Sequence, residues 1–257
     1  ASRKTGVPLI VGSEIALEKG PGLVLLAQTL AGYQTLCRWI TLGRRRAAKG
    51  GYRLAMADIA GDTDGLLALW LPGEKPEAAH GAWVEARFPG RSWIAVELHR
   101  GARAARRLQQ RRELGATLGL PLVAAGDVHM HARGRRALQD TVTAIRHRTT
   151  VQAAGERLFP NGERHLRTRE ALAQAYPPEL LAETLRVAER CSFSLDQLKY
   201  QYPREVVPEG HTPTQWLRVL CEQGARWRWP AGVPDGVQEK IDGELALIAE
   251  LEYESYF

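Results

Sequence analysis

Apolar and polar positions change their spacing about halfway along this chain. Over roughly the first 130 residues, short apolar runs alternate with amphipathic stretches. VPLIVGSEI (7–15) reads as a buried strand, DGLLALWL (64–71) as a short apolar strand after a Gly/Asp turn, and SWIAVEL (92–98) as another strand. GLVLLAQTLAGYQTLCRWITLG (22–43) opens as a strand or helix and continues helically, with Leu36, Trp39 and Ile40 on one face. Residues 102–118 form an Arg-studded helix, and LPLVAAGDVH (120–129) a strand of small and branched residues ending in polar groups. Strands alternating with helices argue for a parallel α/β layout, in which chemistry gathers at the carboxyl tips of the strands. GDVHMH (126–131) lies at such a tip.

From about residue 133 the pattern is helical. RGRRALQDTVTAIRHRT (133–149) keeps Leu138, Val142 and Ile145 on one side. PPELLAETLRVAERC (177–191) opens with Pro, which suits a first helical turn. HTPTQWLRVLCEQGARWRW (211–229) has Thr212 as N-cap, Pro213 at the first helical position and Gln215 completing a capping box. DGVQEKIDGELALIAELEYESYF (235–257) carries Ile241, Leu245, Ile248 and Leu251 at helical spacing. Residues 196–213, with Pro203, Pro208, Gly210 and Pro213, read as a linker.

The composition admits a globular chain and excludes a disordered or collagen-like one: 257 residues, 44% hydrophobic and 25% charged. No window approaches the roughly 18 uncharged apolar residues of a membrane span, so no membrane partner is expected. The opening residues lack both an initiator Met and a signal-peptide pattern, the expectation being a chain cut at its start. Cys37, Cys191 and Cys221 are far apart and odd in number, which suits inert thiols in a reducing cytoplasm rather than a disulfide framework or a zinc ribbon.

Charge adds a local feature. Residues 91–136 hold ten Arg against Glu97, Glu113 and Asp127, a window of +7 in a chain of net charge +6. Guanidinium matches phosphate oxygens bidentately, which makes Arg103, Arg106, Arg107 and Arg111 candidates for nucleic-acid contact. The alternative is a solvated helix face in an Arg-rich chain, since only six of its 35 cations are Lys.

Candidate chemistry centres on GDVHMH. On a strand, Asp127 and His129 at i and i+2 point the same way, a usable metal pair or an ordinary strand-end hydrogen-bonded pair. Glu14, in VGSE, is a second carboxylate at a strand tip, and parallel strands would put Glu14, Asp127 and His129 on one rim. His99, which shares a face with Glu97, and His131 are further candidates or plain surface histidines. In GDTDG (61–65), Asp62 and Asp64 have the spacing of a magnesium pair, but flanking glycines favour a tight turn. No GxxxxGK[ST], HExxH, GxSxG or GxGxxG is present.

Eight segments in order resemble one family: VPLIVGSE, LVLLAQTLAGYQTLCR, GDTDGLLAL, LGLPLVAAGDVHMH, LQDTVTAIRHRTTVQAAG, LFPNGERHLRTREAL, ETLRVAERCSFSLDQLKYQYP and ELALIAELEYESYF. It is the bacterial C-family of replicative-type DNA polymerases, and NGERHLR and FSLDQLKYQYP point to its error-prone, damage-tolerance branch. The resemblance implies a polymerase-and-histidinol-phosphatase (PHP) domain over residues 1–150, an incomplete distorted β/α barrel lacking its first part. Residues 151–257 would then be a mostly α-helical connector leading towards the polymerase palm.

The implied parent reaction is template-directed addition of deoxynucleotides in translesion synthesis and DNA repair. Its cofactor would be Mg²⁺, held by aspartates beyond Phe257, and its partners DNA, deoxynucleotides and other damage-tolerance polymerase subunits. A fragment without those aspartates would carry no catalytic residue.

By the same resemblance, Glu14, Asp127 and His129 match PHP metal ligands. Other ligand positions are replaced: GPG precedes LVLLA where a His is usual, no Cys or His stands near Leu69 and Trp70, and AAG precedes Asp127. The expectation is a vestigial site. The rival readings are a PHP-type metal-dependent phosphoesterase and a non-catalytic module that binds DNA or a partner subunit.

Overall fold

A computed structural model of the chain describes residues 2–59, 61, 63–199 and 207–257. The strands are β1 (Gly12–Ala16), β2 (Gly22–Ala27), β3 (Leu66–Leu71), β4 (Ser92–Glu97) and β5 (Leu122–Ala125). The helices, in chain order, are α1 (Ser2–Thr5), α2 (Leu30–Arg45), α3 (Ala78–Arg87), α4 (Ala104–Leu118), α5 (Arg136–Arg146), α6 (Val151–Ala154), α7 (Arg169–Ala175), α8 (Pro178–Glu189), α9 (Pro213–Arg228) and α10 (Asp235–Glu250). The chain divides into two compact units, residues 1–198 and 199–257.

In the first unit the five strands pair in sequence order as one sheet. β3, β4 and β5 are parallel, joined through α3 and α4, whereas β2 runs antiparallel to both β1 and β3. The all-parallel expectation is therefore corrected. Residues 17–21 are too few for a crossover, so β1 and β2 can only pair antiparallel. Because β2 is reversed against both neighbours, β1 runs with β3–β5, and four carboxyl ends share one edge. The sheet is open, not closed into a barrel.

Both faces of the sheet are covered, which explains the near-continuous apolar runs. Leu66, Ala68 and Trp70 of β3 meet Leu36 and Trp39 of α2 and Val84 of α3 on one face. Leu67 faces the other way, with Trp93, Val123 and Val187 of α8. At the carboxyl end of β4, Val96 and Leu98 pack on Tyr176 and Leu180.

The Gly/Asp turn is a packing device. The Gly65 carbonyl accepts from Gln28 N at 2.8 Å, and Gly65 itself is left-handed (φ +74°). A Cβ on Gly32, in the first turn of α2, would lie 1.9 Å from that carbonyl oxygen, so only glycine fits there. Asp64 pairs with Arg91 at 2.9 Å, while Asp62 lies outside the described residues.

Two strand expectations shorten. Val7 and Leu9 are 63% and 57% exposed and precede β1, which begins only at Gly12. At the other edge β5 stops at Ala125, before GDVH, because Asp127 is left-handed (φ +40°).

The second unit is a helical pair. The capping box of α9 is formed, with the Thr212 hydroxyl accepting from Gln215 N. Thr214, near the start of α9, donates to Glu254 beyond the end of α10, and Arg218 pairs with Asp242 at 2.8 Å, so the two helices run antiparallel. Among the described residues of this unit, Leu217 and Ala225 of α9 and Leu245 of α10 are buried. The linker expected over 196–213 spans the division between the units, and its residues 200–206 lie outside the described residues.

Candidate functional site

The carboxyl edge of the sheet carries two adjoining cavities of about 420 and 320 Å³. They share Glu74, Glu97, Arg107 and Arg164. Glu14 from β1 and Asp127 after β5 line the smaller one together, whereas His99 lines the larger. The reversed strand β2 is what brings Glu14 here, since it points β1 the same way as β5.

His129 reaches this rim through Asp127: its Nε2 lies 2.9 Å from Asp127 Oδ1, and its ring packs 4.8 Å from that of Phe159. The strand argument for this pair is corrected. Neither residue lies on a strand, and the left-handed turn at Asp127 folds the two side chains together instead. His131 is exposed and lines a separate cavity with His129, Leu138 and Val142. His99 Nε2 lies 3.0 Å from the Gly126 carbonyl, which only an N–H can satisfy. Burial holds its pKa below the usual imidazole value, against the Gly126 bond, which raises it, and nearby arginines add to the lowering.

Glu97, at the end of β4, faces both cavities. Burial pushes its carboxyl above the ordinary value of 4.5, and Glu14 adds to the push, against Arg164, Arg107 and Arg111. The rim as a whole is balanced. Its carboxylates are Glu14, Glu74, Glu97 and Asp127, and its guanidinium groups Arg103, Arg107, Arg111 and Arg164.

The Arg-rich helix α4 divides by depth. Arg103 and Arg106 are exposed, and Arg107 is half-buried; Arg103 and Arg107 both reach Glu74, at 3.5 and 3.3 Å. Arg111 is only 3% exposed and turns inward, its Nη2 donating to the Gly73 carbonyl. Arg111 is therefore out of reach of a large polyanion on the outer face.

The segment NGERHLR (161–167), read from sequence only as a family mark, builds much of the rim. Asn161 Nδ2 donates to the His99 carbonyl at 2.8 Å, and its Oδ1 accepts from Glu163 N. Glu163, 4% exposed, sits between Arg100 (3.7 Å) and Arg133 (3.3 Å). Arg167 donates to the Leu98 carbonyl at 3.0 Å and to Tyr176 Oη at 3.2 Å. Tyr176 Oη in turn accepts from Leu98 N and donates to the Ala125 carbonyl at 2.7 Å, tying the ends of β4 and β5 together.

Arg164 sits at the centre of this segment. Its carbonyl accepts from His129 N (2.9 Å) and Met130 N (3.2 Å), its guanidinium pairs with Asp127 Oδ2, and its Cζ lies 4.4 Å over the Phe159 ring. Nothing in residue spacing points to Arg164, which lies 37 positions beyond Asp127; the signal available was an arginine inside a motif that follows an apolar Leu-Phe-Pro.

These contacts decide how well the rim suits a divalent ion. Both oxygens of Asp127 are engaged, Oδ1 by His129 and Oδ2 by Arg164. Among the described residues no three His, Cys, Asp or Glu side chains converge as metal donors. Glu14, Asp127 and His129 share a neighbourhood, but a guanidinium stands against the carboxylate that would ligate, and the donor set does not fit a metal.

Comparison with known proteins places the chain. It is 61% identical over 257 residues to an error-prone DNA polymerase of Pseudomonas aeruginosa, and 57% identical over 261 residues to one of Pseudomonas savastanoi pv. phaseolicola. A third, from Dechloromonas aromatica, is 54% identical over 262 residues. The chain is related along its whole length to error-prone DNA polymerases. It spans about a quarter of the length of these relatives, while each alignment takes in all of it. No family model matches the chain. No described helix is long and apolar enough to cross a membrane.

Proposed function

We propose that residues 1–150 are a PHP-type domain and residues 151–257 the helical connector of an error-prone DNA polymerase that extends primers across damaged template in the cytoplasm. The observation that carries this reading is identity of 53–61% over the whole chain to proteins of that name. Nucleotide addition, with its Mg²⁺, DNA and deoxynucleotides, is assigned to sequence outside the matched quarter. Within this chain the carboxyl edge serves as scaffold, with Glu14, Asp127 and His129 as the remains of a metal rim. Its balanced ion network supports that role.

The outer face of α4 gives the scaffold a second task. Arg103, Arg106 and Arg107 lie within reach of a DNA backbone or an acidic partner subunit, while Arg111 holds the helix from beneath. Phosphate contacts release counterions, so this binding weakens steeply with salt.

Primer extension past a template lesion, by the full polymerase carrying this chain, tests the reading. Asp127→Asn and His129→Ala leave the extension rate within about twofold, and neither protein releases phosphate from a phosphomonoester with Mn²⁺ or Zn²⁺. Metal-dependent phosphate release that Asp127→Asn abolishes would overturn it in favour of a phosphoesterase.

A further inference from the structure

We propose that the guanidinium of Arg164 is the resident cation of the carboxylate rim, taking the place of a divalent ion and making this edge of the sheet independent of metal. The inference goes beyond the polymerase reading and rests on geometry alone. Four carboxylates, Glu14, Glu74, Glu97 and Asp127, line one cavity of about 320 Å³; of the three arginines there, Arg107 pairs with Glu74 and Arg111 donates to the Gly73 carbonyl, and Arg164 is the one paired with Asp127. Glu97 and Asp127 are half-buried there and Glu14 is exposed, so their mutual repulsion is partly screened, and a cation among them relieves what remains. Arg164 answers that need. An arginine stays charged under any physiological condition, and its planar fork matches a carboxylate.

The position is built rather than incidental. The Arg164 backbone is held by His129 N and Met130 N, the two N–H groups that follow the Asp127 turn, and Leu166 N donates back to the Met130 carbonyl at 2.9 Å. Segment 164–166 thus pairs with segment 129–130 as a short parallel bridge, and the ion pair with Asp127 is set by the same register. Phe159 lies against the guanidinium from behind, excluding water from that side. A buried neighbour on each flank fixes the segment through its own bonds, Glu163 to Arg100 in the loop after β4 and to Arg133 just before α5, and Arg167 to the Leu98 carbonyl. Arg164 enters the rim from outside the strands, as a plug closes a socket.

A metal and a guanidinium differ in what removes them. Chelators take a metal away; a guanidinium is lost only by mutation. The two also differ in coupling, because Arg164 and Asp127 depend on each other directly.

The test is a double-mutant cycle on the full chain, read by thermal melting, with Mn²⁺ alone titrated against the unmodified protein and followed by electron paramagnetic resonance. Arg164→Met lowers the melting temperature by several degrees, and adding Asp127→Asn recovers at least half of that loss, since no carboxylate is then left without a partner. Should R164M fail to fold, the double variant decides: a folded double variant supports the proposal, an unfolded one overturns it. The unmodified chain takes up no Mn²⁺ at this rim, and EDTA leaves its melt unchanged. Strictly additive losses, or stoichiometric Mn²⁺ uptake abolished by D127N, would sink the idea, while relatedness to the polymerases would stand.

Discussion

Tyr176 shows at the scale of one residue how the rim is kept in register. Its hydroxyl is buried, accepts from Leu98 N and Arg167, and donates to the Ala125 carbonyl. Removing a buried hydroxyl leaves its partners unsatisfied, at about 1–3 kcal/mol. Tyr176→Phe therefore lowers the melting temperature by roughly 2–12 °C on the usual scaling for chains of this size, which scanning calorimetry reads directly. Glu97 gives a pH-dependent counterpart. Its carboxyl titrates higher in the folded chain than its ordinary 4.5, so its ionised form costs folding stability. That cost is absent below pH 4.5 and grows as pH rises through the folded value. Glu97→Gln accordingly gains on the unmodified chain as pH is raised, and matches it in acid; a gain confined to acid would contradict the assignment. Sequence reading singled out Glu14, Asp127 and His129 as strand-tip residues, whereas Glu14 lies mid-way along β1 and the other two beyond the end of β5. It missed Tyr176 and Arg164, whose roles depend on partners far away in the chain.

Elements were legible where packing and local pattern agree. The buried strands β3 and β4, the Arg-rich α4, the Pro-led α8 and the capping box of α9 each lie close to where apolar period and turn chemistry put them. Strand direction was not legible, because apolar runs look the same in parallel and antiparallel pairing; only the brevity of residues 17–21 reveals β2 as reversed. The apolar side of α5 also misleads: Leu138, Val142 and Ile145 share a face, yet all three are exposed. At this scale the contact of α2 with the Gly65 turn makes a clear prediction. Gly32→Ala forces a methyl group into a carbonyl and costs about 1–3 kcal/mol or more, whereas Gly224→Ala, in the open middle of α9, stabilises by about 0.5–1 kcal/mol. Urea melts of the two variants should move in opposite directions.

Across the whole molecule stability is uneven. The first unit has a sheet buried on both faces, while the second, residues 199–257, is a helical pair with few buried side chains. So small a unit buries a modest share of its surface and opens readily. Amide hydrogen exchange should be slowest in β3 and β4 and faster by orders of magnitude in α9 and α10. Uniform protection across both units would argue that they melt as one.

The distance in sequence between Asp127 and Arg164 has a consequence during synthesis. A ribosome adding roughly 5–20 residues per second delivers Asp127 about 2–7 seconds before Arg164. Through that interval the acids of this corner have only Arg107 and Arg111 beside them, and the partner of Asp127 is still to come. Completion of this corner is thus timed by translation, and silent codon changes between the two positions would lengthen or shorten the wait without altering a single side chain.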